Sequence, residues 1–375
     1  MERWDAIVVG AGPGGCAAAY DLATAGRSVL LLDRVDFPRH KACAGGLTRK
    51  SLRALRYSVE AVTREIVSSI VVEKRRGEAA TLASRSAVCA MTVRQELDDY
   101  CLRQTLRVGA QFARIGAIEA LAVGASHVTV QTAEKSFRAP FLVGADGVHS
   151  RVRQLLEGEF PAWFRRGFAL EAEVFPPEGA QSDLIFDFAA VRHGYGWVFP
   201  KKDHLNVGLG VYAVLGAEKL DRTRLLAYVK QRLGEAQVRH VSGQYLGFGA
   251  ENASPNERRV FLVGDAGGFA DVLTGEGIYG AIASGQAAAA AIDGELGGRV
   301  PAQSAFERLT TQLRQDLRLS SSGARWFYGN LDMGFRALTA PVFRGAVINA
   351  YANGTKIGAL ANAVRRFARV FAIPR

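Results

Sequence analysis

The sequence predicts an α/β fold: a parallel sheet carrying an inserted antiparallel β-sheet domain, followed by a C-terminal helical segment. Three observations predict it. Apolar β-runs end in glycine-rich turns and lead into alanine-rich helices near both residue 10 and residue 265. A strand-rich block lies between those two places, and no segment approaches the ~18 uninterrupted apolar residues that a membrane-spanning helix requires. At 375 residues, with 49% hydrophobic and 22% charged residues, the chain can bury a full core and has the composition of a folded globular protein.

The first element is the strand of WDAIVVGAGPGG. Gly10, Gly12 and Gly15 stand in GxGxxG spacing, with Pro13 and Gly14 between them, and the next strand, SVLLLD, ends in Asp33 followed by Arg34. Glycines at this spacing allow a tight turn and close approach of backbone to a pyrophosphate, the helix N-terminus supplies N–H donors, and the carboxylate can accept from ribose hydroxyls. This is a Rossmann-type turn, which NAD and FAD share. The next segment, FPRHKACAGGL, places Pro38, Arg39, Lys41, Cys43, Ala44, Gly45 and Gly46 together, and Arg94 opens the helical pattern VRQELDDYCLRQTL. The stretch FLVGADGVHSRVRQLL runs from an apolar strand into Gly144, Asp146 and Gly147, with Ser150 and Arg151 at a helix start. Beyond residue 160 the pattern becomes strands, among them GYGWVFP and LNVGLGVYA joined as a hairpin by KKDH. Tyr195, Trp197 and Phe199 alternate, so their rings project from one face of their strand. The chain then returns to strand, glycine turn and helix: Val260 to Val263, Gly264 and Asp265, then Gly275, Gly277 and Ile278 opening a long alanine-rich helix.

These motifs resemble those of the FAD-dependent oxidoreductases related to glutathione reductase, in the hydroxylase-like branch. The resemblance implies that Asp265 meets the ribityl chain, that Arg94 and Asp146 lie near FAD, and that the helix beginning at Ile278 aims its N–H groups at the flavin pyrimidine edge. YGWVFP followed by Gly208 and Gly210, together with the Pro-Arg-x-Lys-x-Cys segment, resembles the geranylgeranyl reductase family within that branch. The likeness covers roughly residues 5 to 295, with Ala44 standing where many relatives have glycine. It implies an FAD-binding domain in three pieces (1–60, 85–160 and 250–298), a β-rich substrate domain (61–84 and 161–249) and a helical region (299–375). Gly10, Gly12, Pro13, Gly14, Gly15, Asp33, Arg34, Ala44, Gly45, Arg94, Asp146, Gly264, Asp265, Gly275, Gly277 and Ile278 are the expected cofactor residues. Tyr195, Trp197, Phe199, Gly208 and Gly210 are the expected substrate residues. Cys43 is the candidate catalytic group, with the charge of Lys41 and the neighbouring glycines favouring reactivity; its bland alternative is a small buried hydrophobe. His149, His193 and His204 fall at turns or strand ends and offer no convincing general acid.

The remaining composition narrows the setting. Cys16, Cys43, Cys89 and Cys101 lie far apart and form no CxxC pair, so neither a disulfide framework nor a metal site is expected. A reduced cytoplasmic location follows, with peripheral contact at the cytoplasmic membrane face as its variant. The net charge of +11 suits anionic ligands or an anionic bilayer, while no nucleic-acid motif accompanies it. The tail AVRRFARVFAIPR interleaves arginines with apolar residues, as an interfacial helix does, and equally as a basic helix closing the fold. With no second dinucleotide fingerprint, the reductant is expected to be NAD(P)H docking transiently or a protein electron donor. The expected activity is reduction of isoprenoid C=C bonds in a geranylgeranyl or polyprenyl substrate. Two alternatives stay open: an FAD monooxygenase or flavin halogenase acting on an apolar aromatic, and a flavin- and lipid-binding membrane-surface protein without turnover.

Overall fold

The computed structural model describes residues 3–75, 77–176, 182–212, 218–253 and 259–354. At its centre the strand Ala6–Val9 lies between Val29–Asp33 and Phe141–Gly144 in a parallel five-stranded sheet, with Val260–Leu262 and Gln111–Arg114 at the edges. Alternation sorts the two faces of this sheet. Ala6 and Val8 share a core with the helices Pro13–Thr24, Arg94–Arg107 and Ile278–Leu296. Ile7 and Val9 pack instead with the antiparallel meander Ile118–Val123, Val128–Thr132 and Ser136–Ala139.

Small residues bring the first turn and the two alanine-rich helices together. Gly10 has φ +101°, a conformation that side chains rarely adopt, and a Cβ on Gly15 would stand 1.7 Å from the carbonyl oxygen of Gly10. The turn is therefore closed on itself before any ligand is considered. Pro13 occupies the first turn of its helix, where a missing N–H costs nothing.

The inserted sheet has seven strands in the order Gln237–Phe248, Arg165–Phe175, Leu205–Tyr212, Gly194–Pro200, Ile185–Asp187, Ser69–Arg75 and Glu78–Ala83. Its pairings are antiparallel except between Ile185–Asp187 and Ser69–Arg75. One face, with Val198, Val207 and Leu209, packs on the helix Arg222–Leu233. Tyr195, Trp197 and Phe199 are on the other, in one cluster with Phe327, Tyr328, Phe335 and Ile348 of the helices Ala302–Gly329, Leu331–Thr339 and Pro341–Asn353. A small sheet of Gly46–Thr48, Cys89–Thr92 and Thr63–Val67 bridges the two parts. The architecture is thus the α/β arrangement that the sequence predicts. Among the described residues no helix is long and apolar enough to cross a membrane, and no cluster of His, Cys, Asp and Glu is suited to hold a metal ion. The basic tail, residues 363–375, lies outside the described residues.

Two glycine substitutions separate close approach from helix propensity. Gly15→Ala is expected to cost about 3 kcal/mol, because backbone must move to admit the methyl. Gly294→Ala, on the Ile278–Leu296 helix and with no atom within 4 Å of its added Cβ, is expected to be neutral or to gain up to about 1 kcal/mol. Urea denaturation midpoints of the two variants check both signs.

Candidate active site

A cleft of about 790 Å³ runs between the glycine ends of the parallel sheet and the ring-bearing face of the inserted sheet. Its lining includes Gly10, Gly12, Pro13, Gly14, Asp33 and Arg34 from the first turn, Asp146 from the middle segment, and Gly264, Asp265, Gly275, Gly277 and Ile278 from the last. Cys43, Ala44, Gly45 and Arg94 line its middle, and Tyr195, Trp197, Phe199 and Gly210 line the far wall. Gly15 and Gly208 are not part of the lining. Gly15 closes the first turn, and Gly208 forms the bed on which the Trp197 indole lies, since a Cβ there would come within 2.1 Å of the ring.

At the glycine end, Asp33 accepts the N–H groups of Ala11 at 2.7 Å and Val35 at 3.2 Å, which fixes its carboxylate at the turn. Asp146 Oδ2 accepts the N–H groups of Arg151 at 2.7 Å and Val152 at 3.1 Å and so caps the helix Arg151–Glu157. Its other oxygen, Oδ1, is buried with no hydrogen-bond partner among the described residues, and burial raises the pKa of the carboxyl. Burial also raises Asp265, against the opposing charges of Lys41 and Arg94. These features fit FAD. Two helix N-termini, at Pro13 and Ile278, open on the same cleft and favour negative charge. An orphaned buried acceptor such as Asp146 Oδ1 carries a desolvation cost that a ligand donor would offset.

The middle of the cleft is a polar junction. Arg94 is buried, forms a bidentate pair with Asp98 at 2.8 Å for both contacts, and lies within hydrogen-bond reach of the Cys43 thiol. Arg39 adds a second cation to Asp98 at 3.2 Å. Arg94 is thus a packed cleft residue and not a solvated helix-start charge. The Cys43 N–H donates to Glu171 Oε1 at 2.7 Å, and its sulfur accepts the Gly45 N–H at 3.4 Å. The cations facing Cys43 are Arg94 and Lys201, whereas Lys41, which the sequence suggests for that role, faces Asp265, Arg39 and Asp98. Lys201 Nζ donates to the carbonyls of Ala44 and Thr92. Ala44 has no positive φ, while the adjacent Gly45 has φ +63°, so alanine at position 44 brings no backbone strain.

The wall beyond is aromatic yet tied down by polar groups. Phe186 meets Tyr195 and Phe199 edge-on, with centroids 5.3 and 5.4 Å apart, and Tyr351 at 5.8 Å. The Tyr195 hydroxyl donates to the Thr274 carbonyl. The Trp197 indole N–H donates to Asn206 Oδ1 at 2.7 Å, and the Asn206 side chain also bonds Glu171. Sequence reasoning misses Glu171, Lys201, Asn206 and Tyr351. Glu171 leaves one local signal, since it and Glu173 are acids at alternate positions of the strand GFALEAEVF and so share one face. Burial pushes Glu171 up to about 7, opposed by the Cys43 N–H and Asn206, and takes Lys201 down to about 8.

Comparison with known proteins agrees with this geometry. A family model described as FAD binding domain matches residues 3–302. An uncharacterized protein of Methanosarcina barkeri is 30% identical over 341 residues, covering 89% of this chain and 86% of that one. The geranylgeranyl diphosphate reductase of Rhodobacter capsulatus is 28% identical over 329 residues, 86% of this chain and 80% of its own. The crystal structure of a geranylgeranyl bacteriochlorophyll reductase-like protein from Thermoplasma acidophilum superposes with a TM-score of 0.79 at 20% identity, covering 96% of this chain and 99% of that chain.

The buried carboxyl predicts a pH dependence of stability. An unfolded glutamate titrates near ~4.3, whereas folded Glu171 titrates at about 7. Between those values the folded state holds the extra proton, so this group's contribution to stability falls as pH rises through the window. Glu171→Gln is expected to remove that slope. Denaturant titrations of both proteins from pH 4.5 to 7.5 check it: the stability difference between them should shift in favour of the variant as pH rises.

Proposed function

The chain belongs to the FAD-binding-domain family, as an FAD-dependent oxidoreductase of the geranylgeranyl-reductase-like kind, and from that premise we propose that it saturates isoprenoid C=C bonds of a geranylgeranyl or polyprenyl substrate. The observation that carries this reading is the continuity of one cleft from two helix N-termini, past Cys43, to a wall of Tyr195, Trp197, Phe199 and Phe186. In this reading Gly10, Gly12, Pro13 and Gly14 hold the pyrophosphate, Asp33 and Arg34 the ribose, and Asp146 and Asp265 the rest of the dinucleotide. The helix at Ile278 faces the ring. When bound, the flavin supplies two electrons as hydride. The chain's own residues do the rest: the rings bind and orient an apolar chain, and Gly210 leaves room beside them. Cys43 contacts the reacting end, and the packed cap excludes water and oxygen. At ~0.8 kcal/mol per buried CH₂, a few isoprene units supply more gross binding free energy than one exposed ion pair.

The relatives' names support a prenylated substrate, since the Rhodobacter protein is named for geranylgeranyl diphosphate. We assign cofactor binding to residues 1–60, 85–160 and 250–298, and substrate binding to residues 61–84 and 161–249 together with the C-terminal helices. The reductant in this proposal is NAD(P)H docking transiently or a protein donor. Access to a lipid substrate is at the surface of the cytoplasmic membrane.

Anaerobic reaction of the dithionite-reduced holoenzyme with geranylgeranyl diphosphate is expected to give stepwise mass gains of two hydrogens, and with a prenylated quinone gains beyond the two hydrogens that quinol formation adds. Unchanged masses together with a flavin C4a-oxygen absorbance on admitting air would replace this reading with oxygenation or halogenation. Bound polyprenyl lipid with no turnover would replace it with lipid holding. Trp197→Ala is expected to lower kcat/KM about tenfold, corresponding to ~1.4 kcal/mol, while the visible flavin spectrum persists. Loss of flavin instead would make the indole a structural core residue.

A further inference from the structure

Saturating an alkene requires a proton as well as a hydride, and resting on the proposed reaction we infer that Glu171 is the group that delivers it. The other described acidic side chains of the cleft either have partners or stand at the glycine end, where the proposed reaction places the dinucleotide. Asp33 accepts the N–H groups of Ala11 and Val35, and Asp146 caps a helix through Oδ2 with Oδ1 left for a ligand donor at the glycine end. Asp265 faces Lys41 and Arg94 at the glycine end. Glu276 pairs with Lys50 at 2.6 Å and accepts the hydroxyls of Thr48 at 2.6 Å and Ser51 at 3.0 Å. The Tyr195 hydroxyl donates to a carbonyl, and His40 and His149 sit exposed at the rim. The Cys43 sulfur accepts the Gly45 N–H at 3.4 Å, and the Cys43 backbone N–H donates to Glu171 and so holds the carboxyl beside it.

Glu171 differs on each count. It is 6% exposed, lines the cleft between Cys43 and the ring wall, and makes no ion pair within 4.0 Å among the described residues. Cross-strand register puts it there: Glu171 pairs with Gly208, and Gly208 pairs with Trp197, so carboxyl and indole face the cleft from the same row of the sheet. The Cys43 N–H and the Asn206 side chain orient it. Burial keeps the acid protonated up to about pH 7, close to the operating range that suits a general acid. The charged and titratable groups facing it are Lys201 and Arg94, with Cys43 beside it. Both cations, with the two N–H donors, stabilise the carboxylate once the proton has left.

In the step, the C=C π bond breaks and two C–H bonds form. One carbon takes hydride from the reduced flavin, which is oxidised by two electrons, and the other takes the proton as the Glu171 O–H bond breaks. The carboxylate is then reprotonated from water.

The test is single-turnover reduction of geranylgeranyl diphosphate by the prereduced holoenzyme, from pH 5.5 to 9, in the wild type, Glu171→Gln and Glu171→Asp. The wild-type rate is expected to fall above about pH 7 as the acid ionises. Glu171→Gln, which keeps an acceptor for the Cys43 N–H, is expected to be about 100-fold slower or more, with no falling limb and an unchanged flavin spectrum. Glu171→Asp is expected to be slowed while retaining that limb. A wild-type rate flat across the range overturns the assignment whatever the variants do. So does a Glu171→Gln rate within about threefold of wild type with the limb retained, since such a rate is what a purely positioning residue leaves. A wild type that saturates nothing overturns the reductase reading itself, and this inference with it.

Discussion

The turn from Asp271 to Gly277 sets where the Ile278–Leu296 helix begins, and a helix N-terminus acts on a ligand only within about one turn of its end. That end must therefore be held still. Asp271 Oδ1 accepts the N–H groups of Leu273 and Thr274 at 2.8 and 3.2 Å, while its Oδ2 accepts the Ser320 hydroxyl at 2.8 Å. Tyr328 donates to the Leu273 carbonyl at 3.2 Å and Tyr195 to that of Thr274. Lys50 and Thr48 hold Glu276. The inserted sheet, the C-terminal helices and the segment after the second strand thus all grip one short loop. Disturbing any of them moves the cofactor end of the cleft.

A second constraint works under the aromatic wall. Rings alone would give a greasy surface with no fixed orientation, but Trp197 is tied through Asn206 to Glu171, and Glu171 in turn holds the backbone at Cys43. Buried polar chains of this kind are costly unless every member finds a partner. Here they relate the position of the indole to the loop at the middle of the cleft. Lys201 closes the same corner by bonding the carbonyls of Ala44 and Thr92. The apolar wall and the polar junction are one mechanical unit, while the opposite face of the sheet, around Val198, Val207 and Leu209, is ordinary aliphatic core.

What could be read from the sequence was local. Gly10, Gly12 and Gly15 announce a turn because spacing and backbone geometry are short-range, and the alternation of Tyr195, Trp197 and Phe199 announces a shared face. Asp265 and Ile278 could be placed because strand, turn and helix follow one another within a few residues. Glu171 could not be placed, because its role depends on the register Glu171–Gly208–Trp197 across three strands. Lys201 reads as a hairpin charge, and only tertiary packing buries it. Lys41 lies next to Cys43 in sequence, yet other cations face the thiol in space. Gly208 matches a motif, but its contribution is the absence of a side chain beneath an indole and not a surface of the cleft.

The helices between residues 302 and 353 carry no motif, yet Tyr351 lines the cleft and Phe327, Tyr328 and Phe335 share the cluster of the ring wall. The two ends of the chain thereby acquire different freedoms. Residues near the glycine turns leave little latitude because a Cβ at Gly10 or Gly15 would meet backbone, whereas the last helices bound the space past the rings. A change at Tyr351, which lines the cleft, alters the depth of that space, whereas a change at Ser320 or Tyr328 also loosens the turn before the Ile278–Leu296 helix, so only part of the terminal region can vary without shifting the glycine end.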